Sequence, residues 1–184
     1  MNQYTRILPA LLPVALALSA CSQQPADQQP SAAPPPTAAT SEAVNEAALS
    51  TRGGDGSEIM LTELTEQDFA ANPLEGELAC SFGENPSSAP LLVARGFADD
   101  SAGRAQGLAR IGDYPQRLMA MAPGGFDAMI VGARFGGQGM TYTITLDRSE
   151  VTGGGESPSN PARLLLQRAD GAERTIPGTW TCGP

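Results

Sequence analysis

The sequence contains no histidine and no lysine, so all 11 of its basic residues are arginines. Without those two residue types there is no Ser-His or Cys-His catalytic pair, no Schiff-base lysine, no phosphate-loop lysine and no histidine-ligated metal. The 20 acidic residues give a net charge of −9, and an acidic chain binds nucleic acid and anionic headgroups poorly. We therefore predict that the protein is not an enzyme, holds no cofactor or metal, and does not bind nucleic acid.

The N-terminal apolar run is too short to span a bilayer. It covers residues 7–18, follows the charged Arg6, and ends at the small residues Ser19 and Ala20. A membrane-spanning helix needs about 20 apolar residues. A charged start, a short apolar run and a small-residue cleavage site are typical of a secretory signal. We expect residues 1–20 to be a signal peptide.

The sequence Leu18-Ser19-Ala20-Cys21 resembles the lipobox of bacterial lipoproteins. The resemblance implies diacylglycerol transfer to the Cys21 thiol, cleavage before Cys21, and acylation of the new amino terminus. Several acyl chains then hold the protein at the membrane, whereas one chain binds only marginally. In lipoproteins of Gram-negative bacteria an aspartate after the cysteine favours the inner membrane. Ser22 therefore implies a lipid-anchored, periplasm-facing location at the outer membrane. An ordinary secreted protein with a chance cysteine is the alternative.

The first part of residues 21–55 is rich in Pro, Ala, Gln and Ser. The segment ends at the glycine-rich residues 53–56. This composition predicts a disordered, partly polyproline-II spacer that carries the folded part away from the membrane. The folded module is expected over residues 56–184, a length that suffices for one hydrophobic core.

The folded module shows mainly strand signals. Alternating apolar residues are clearest over 140–147, where Met140, Tyr142, Ile144 and Leu146 are expected to face inward. Apolar runs at 78–82, 91–97, 107–111, 116–121 and 126–135 read as further strands, whereas residues 59–69 form a weak helix candidate with Thr65 and Asp68 as a capping pair. Seven or eight short strands without βαβ alternation predict a single antiparallel β-barrel or β-sandwich.

Asp170-Gly171 is the pair that a two-residue type I′ hairpin turn prefers. That turn would place Arg168 opposite Glu173 and Leu166 opposite Thr175.

Two cysteines, Cys80 and Cys182, remain after the lipid-bearing Cys21. An exported protein lies in an oxidising compartment, so an even residual count predicts one disulfide between them. Two reduced, buried thiols are the alternative. Trp180 is expected to be a core residue beside the disulfide rather than part of a ligand platform.

The acidic residues concentrate in the leading part of the module. Eight lie between Asp55 and Glu84, a stretch without arginine, whereas acids and arginines are balanced after residue 85. The stretch is either a surface that attracts a basic partner or a solvated face that aids solubility. Asp99-Asp100 is the only adjacent acidic pair, and its loop context argues against glycosidase chemistry.

The layout of lipobox, spacer, cysteine in an early strand and cysteine near the end is similar to that of the membrane-bound inhibitors of C-type lysozyme. Those are small β-barrels that insert a Ser-Gly-x-x-Tyr loop into the lysozyme cleft. Here Gly139-Met140-Thr141-Tyr142 matches the Gly-x-x-Tyr part, and Gln138 stands in the serine position. The resemblance implies Gln138 and Tyr142 as partner-binding residues.

The sequence thus predicts a lipid-anchored, non-enzymatic envelope protein. Its β module would face the periplasm and act as a structural or interaction domain for a protein or glycan partner. The alternative function is a periplasmic inhibitor of C-type lysozyme or a similar basic hydrolase.

Overall fold

The structure, a computed structural model, describes residues 50–147 and 157–184. Cys21, the predicted signal peptide and most of the predicted spacer lie outside the described residues. The described strands are β1 (Leu61–Thr62), β2 (Leu78–Gly83), β3 (Leu92–Gly96), β4 (Gln106–Ile111), β5 (Tyr114–Ala120), β6 (Ala133–Gly137), β7 (Met140–Leu146), β8 (Ser159–Arg168) and β9 (Glu173–Gly183). Helix α1 (Glu66–Ala71) follows β1, and a short 3-10 helix (Asp127–Met129) precedes β6.

Strands β2 to β9 form a closed antiparallel barrel in which each strand pairs with its neighbours along the chain. The barrel closes where β9 pairs with β2. The prediction of a mainly β, antiparallel module is confirmed, and of the two architectures left open the barrel is the one formed. Closure gives every barrel strand a partner on both sides, which removes the free edges that promote aggregation.

The predicted cysteine pair lies on the closing seam of the barrel. Cys80 of β2 is directly opposite Cys182 of β9, and their sulfur atoms are 2.15 Å apart, at bonding distance. The two residues are separated by 102 positions in the sequence. Pairing the first and last barrel strands costs the most loop-closure entropy, and a cross-link at this seam offsets part of that cost.

The barrel interior is filled by side chains of alternating strand residues. Met140, Tyr142 and Ile144 of β7 are buried as the alternation predicted, and Leu146 is half-buried. Trp180 of β9 is fully buried, which confirms it as a core residue. The barrel is therefore a packed core that holds its connecting loops in place.

Antiparallel order sends successive connections to opposite ends of the barrel. At one end, the hairpin end, tight turns at residues 112–113, 138–139 and 169–172 join consecutive strands. At the other end, the loop end, the longer connections 97–105 and 121–132 join β3 to β4 and β5 to β6.

Residues 51–62, which we call the strap, lie along the hairpin end. The Arg52 backbone pairs with Glu173 at the start of β9, and β1 pairs with the last residues of β4, beyond the reach of β3. Ile59 and Leu61 of the strap are buried in the core. Residues 51–55, which we predicted to belong to the spacer, thus contact the barrel. The strap finds room there because β2 and β3 are too short to pair with the hairpin-end residues of β9 and β4.

The register predicted for the last hairpin is wrong by one residue. Glu173 lies opposite Gln167, not Arg168, and Leu166 lies opposite Arg174. Gly171 has a φ of 90°, and the Arg168 amide donates to the Ala172 carbonyl. Residues 169–171 therefore form a three-residue loop with a left-handed glycine, rather than the two-residue turn that Asp-Gly suggested.

The helix predicted over residues 59–69 has the expected capping pair, but it begins at Glu66 and not at residue 59. Thr65 and Asp68 form a reciprocal capping box at the start of α1, so the predicted capping pair is confirmed. The residues before Thr65 are not helical, because Ile59 and Leu61 serve the core as strap residues.

Candidate interaction surface at the loop end

The two residues predicted to bind a partner do not form one accessible surface. Gln138 is exposed in the β6–β7 turn at the hairpin end, where its φ is 46°. Tyr142 is fully buried inside the barrel, where its hydroxyl donates to Gln116 Oε1 at 3.0 Å. Burial also raises the pKa of the Tyr142 phenol. The Tyr142 ring is thus out of reach of a partner, and inhibition of a lysozyme, which stays an untested prediction, would need other contact residues.

Of the adjacent residues Asp99 and Asp100, the second holds loop backbone in place through its carboxylate, and the first does so through its backbone amide. Asp100 Oδ1 accepts from the Gly103 amide at 2.8 Å, and the Asp99 amide donates to Asp127 Oδ2 at 3.0 Å. Among the described residues, no group of three or more acidic or cysteine side chains is arranged to hold a metal ion. These contacts give the carboxylates of Asp100 and Asp127 a role in the local structure.

The loops 97–105 and 121–132, which we call the loop platform, are bound to each other by backbone hydrogen bonds. The Phe126 amide donates to the Phe97 carbonyl at 3.0 Å, and the Gly124 amide donates to the Gly103 carbonyl at 2.9 Å. Arg104 Nη1 donates to the carbonyls of Ala120 and Met121 at 2.9 and 2.5 Å. Both loops therefore form one surface with a fixed backbone.

Glycines allow the close approach of the two loops. A Cβ atom at Gly96 would lie 2.7 Å from the Phe126 nitrogen, and one at Gly125 would lie 2.4 Å from the Phe97 carbonyl oxygen. Gly125 also has a φ of 53°, which disfavours other residues. The platform thus depends on glycine at positions 96 and 125.

The second loop closes the barrel with two of its apolar side chains. Phe126 and Met129 are buried, and the Trp180 indole donates from Nε1 to the Met129 carbonyl at 2.9 Å. These residues lie on the 3-10 helix or beside it, so the prediction of a strand over 126–135 is wrong for residues 126–132 and correct only from Ala133. Helical spacing places Phe126 and Met129 on one side, facing the core, which a strand would not do.

The platform exposes apolar side chains to solvent. The exposed fraction is 45% for Phe97, 50% for Met121, 42% for Ile130 and 62% for Val131. Met119, on the outer face of β5 next to this end, is 47% exposed. Large apolar side chains brought together at one end of a small barrel are typical of an interaction site.

The acidic stretch from Asp55 to Glu84 is used in part for internal contacts. Asp55 and Asp170 both bind the Arg168 guanidinium, at 2.6 and 2.7 Å. Hydrogen bonds from Ser57, together with Arg168, lower the pKa of Asp55, and hydrogen bonds from Arg168 lower that of Asp170. Asp68 accepts from the Thr65 amide, which lowers its pKa, and it pairs with Arg110 at 3.3 Å. Several of these acids thus fasten the strap and α1 to the barrel.

No helix in the described ranges, 50–147 and 157–184, has the length and apolar character needed to cross a membrane. No protein-family model matches the chain, and no curated protein or solved structure shows significant similarity to it. We therefore infer the function from the geometry of the barrel and from the N-terminal sequence.

The loop platform was not predicted from the sequence. The run from Phe126 to Val131 is apolar, and an apolar run is ordinarily assigned to the core. The glycines at 124, 125 and 132 around this run are the signal that could have identified a compact loop, since all three have positive φ.

Proposed function

We propose that this chain is a lipid-anchored envelope protein whose barrel is a non-enzymatic binding module. The loop platform is its contact surface for an envelope partner. One observation carries the proposal. The strap enters the barrel at the hairpin end, whereas the exposed apolar side chains of the platform lie at the loop end.

This arrangement suits an anchored binding protein. The predicted spacer of residues 21–55 leads into the strap, so a Cys21 anchor would be connected to the barrel through the hairpin end. A flexible spacer of the predicted length would extend on the order of 30 Å, which would leave the loop end free to reach a partner. The barrel supplies a rigid support, and a rigid backbone reduces the entropy lost on binding.

The anchor is tested by metabolic labelling with a fatty-acid analogue. Wild type is compared with Cys21→Ala, and Ser22→Ala serves as the matched control because it changes the neighbouring residue. We expect label in wild type and in Ser22→Ala, and none in Cys21→Ala. Equal labelling of Cys21→Ala would remove the anchor from the proposal.

The contact surface is tested by photo-crosslinking in intact cells. A photoreactive amino acid is placed at Val131 on the platform or at Tyr114, which is 77% exposed at the hairpin end. We expect a discrete adduct from position 131, and its loss when Gly125→Ala displaces the second loop. Adducts of the same pattern from both positions, or none from 131, would refute the assignment of the platform.

A further inference from the structure

The loop platform combines its apolar side chains with negative charge. Asp99 and Asp127 are exposed, and the hydrogen bond from the Asp99 amide to the Asp127 carboxylate holds the two residues together. Phe97 is two positions from Asp99, and Ile130 is three positions from Asp127. The carboxylates therefore border the exposed apolar groups.

Acidic side chains outnumber basic ones in the two loops of the platform. Its two loops contain Asp99, Asp100 and Asp127 and a single basic residue, Arg104. The Arg104 guanidinium donates to the carbonyls of Ala120 and Met121, where it fixes the backbone at the end of β5. With three carboxylates and one guanidinium in its two loops, the platform presents apolar groups with net negative charge beside them.

We infer that the loop platform recognises a basic protein segment that carries apolar side chains. The inference rests on the proposed function and specifies the partner. Positive side chains of the partner would face Asp99 and Asp127, and its apolar side chains would cover Ile130 and Val131. Complementary charge speeds encounter and selects among partners, while apolar contact supplies most of the affinity.

Other partner classes fit this surface less well. Anionic lipid headgroups and nucleic acids are repelled by the platform carboxylates. Glycan recognition commonly stacks sugars on aromatic rings and uses many hydrogen-bond donors. The platform instead exposes aliphatic and methionine side chains and one ring, that of Phe97.

The test is fluorescence anisotropy with the full mature, acylated protein in zwitterionic nanodiscs, with empty discs as the blank. The probe is a labelled peptide of alternating lysine and leucine, and its lysine-to-glutamate version is the negative probe. Asp99→Asn with Asp127→Asn removes two platform charges and leaves one oxygen acceptor on each side chain. Glu63→Gln with Glu66→Gln removes two exposed charges elsewhere, so the net charge of the two double variants is equal.

We expect the platform variant to weaken peptide binding at least about five-fold, and the control variant less than about two-fold. Equal weakening by the two variants would show a response to net charge alone and would overturn the inference. Binding of peptidoglycan fragments at the platform without binding of the cationic peptide would overturn it as well. Failure here with a Val131 adduct present in the otherwise unchanged protein would refute only the partner class, whereas absence of the adduct from that protein would refute the proposed function.

Discussion

At the scale of single residues, backbone conformation decides the role of Gln138. The β6–β7 connection is a two-residue turn in which both Gln138 and Gly139 have positive φ, at 46° and 75°. Glycine adopts such angles freely, whereas most side chains do not. Gln138 is thus a strained turn residue at the hairpin end.

Replacing Gln138 with asparagine should stabilise the protein, because asparagine tolerates the left-handed region. We expect Gln138→Asn to raise the free energy of unfolding by about 0.5–1 kcal/mol, measured by chemical denaturation. Gln67→Asn, an exposed change within helix α1, is the control and should not stabilise. If Gln138→Asn were no more stable than wild type, the backbone at Gln138 would not be strained.

Arg168 links the strap to the last turn of the barrel. Its guanidinium binds Asp55 of the strap and Asp170 of the last turn, and Glu58 accepts from the Thr51 amide at 3.2 Å. Hydrogen bonds from Thr51 lower the pKa of Glu58, as those from Ser57 and Arg168 lower the pKa values of Asp55 and Asp170. The strap is therefore held by carboxylates that must be ionised.

At the scale of elements, the strap should release in acid. A carboxyl group with a lowered folded-state pKa stabilises the fold above its unfolded value, here 3.8 for aspartate and 4.5 for glutamate. That stability is lost as the pH falls through the folded-state values. We expect hydrogen exchange in residues 51–57 to be constant from about pH 8 to 5, after correction for intrinsic rates, and to accelerate below about pH 4.

Asp170→Asn should reduce this acid dependence, because it removes a carboxylate from Arg168. Asp113→Asn is the matched control, since the Asp113 side chain is 94% exposed and 3.7 Å from Arg110. Acid release with the same pH dependence in wild type and Asp170→Asn would show that other groups hold the strap.

The strands could be predicted from the sequence better than the turns and loops that connect them. Period-two alternation identified β7, and glycine-rich turns marked most strand ends, because these signals are local. The hairpin register was missed because Asp170-Gly171 suits two turn types, and the pairing of β8 with β9 chose between them. The 3-10 helix was missed because Phe126 and Met129 close the barrel, a requirement that only the tertiary structure reveals.

At the scale of the whole molecule, the disulfide stabilises the closure of the barrel. It spans 102 residues and joins β2 to β9. A loop of this length corresponds to about 4–5 kcal/mol in the chain-entropy model. We expect Cys80→Ser to lower Tm by about 10 °C or more under oxidising conditions.

The reduced wild-type protein is the control for that measurement. It should melt near the temperature of Cys80→Ser, because both lack the same cross-link. Equal melting of oxidised wild type and Cys80→Ser would mean that the seam does not depend on the bond.

In the proposed function the two ends of the barrel have different tasks, and sorting to the outer membrane would depend on the N-terminus. The hairpin end receives the strap and the anchored spacer, whereas the loop end carries the platform. Because sorting is assigned to the residue after Cys21, we expect Ser22→Asp to move the protein to the inner membrane, as measured by membrane fractionation. An unchanged outer-membrane fraction would remove Ser22 from the sorting argument.

Methionine oxidation footprinting in intact cells tests the central claim most directly, because each end of the barrel carries its own probe. Met121 lies on the platform and is 50% exposed, while Met60 lies on the strap and is 58% exposed. The account predicts that Met121 oxidises more slowly in the envelope than in the purified protein, while Met60 reacts equally in both. Equal oxidation of Met121 in the two settings, or protection of Met60 instead, would contradict a partner bound at the loop end.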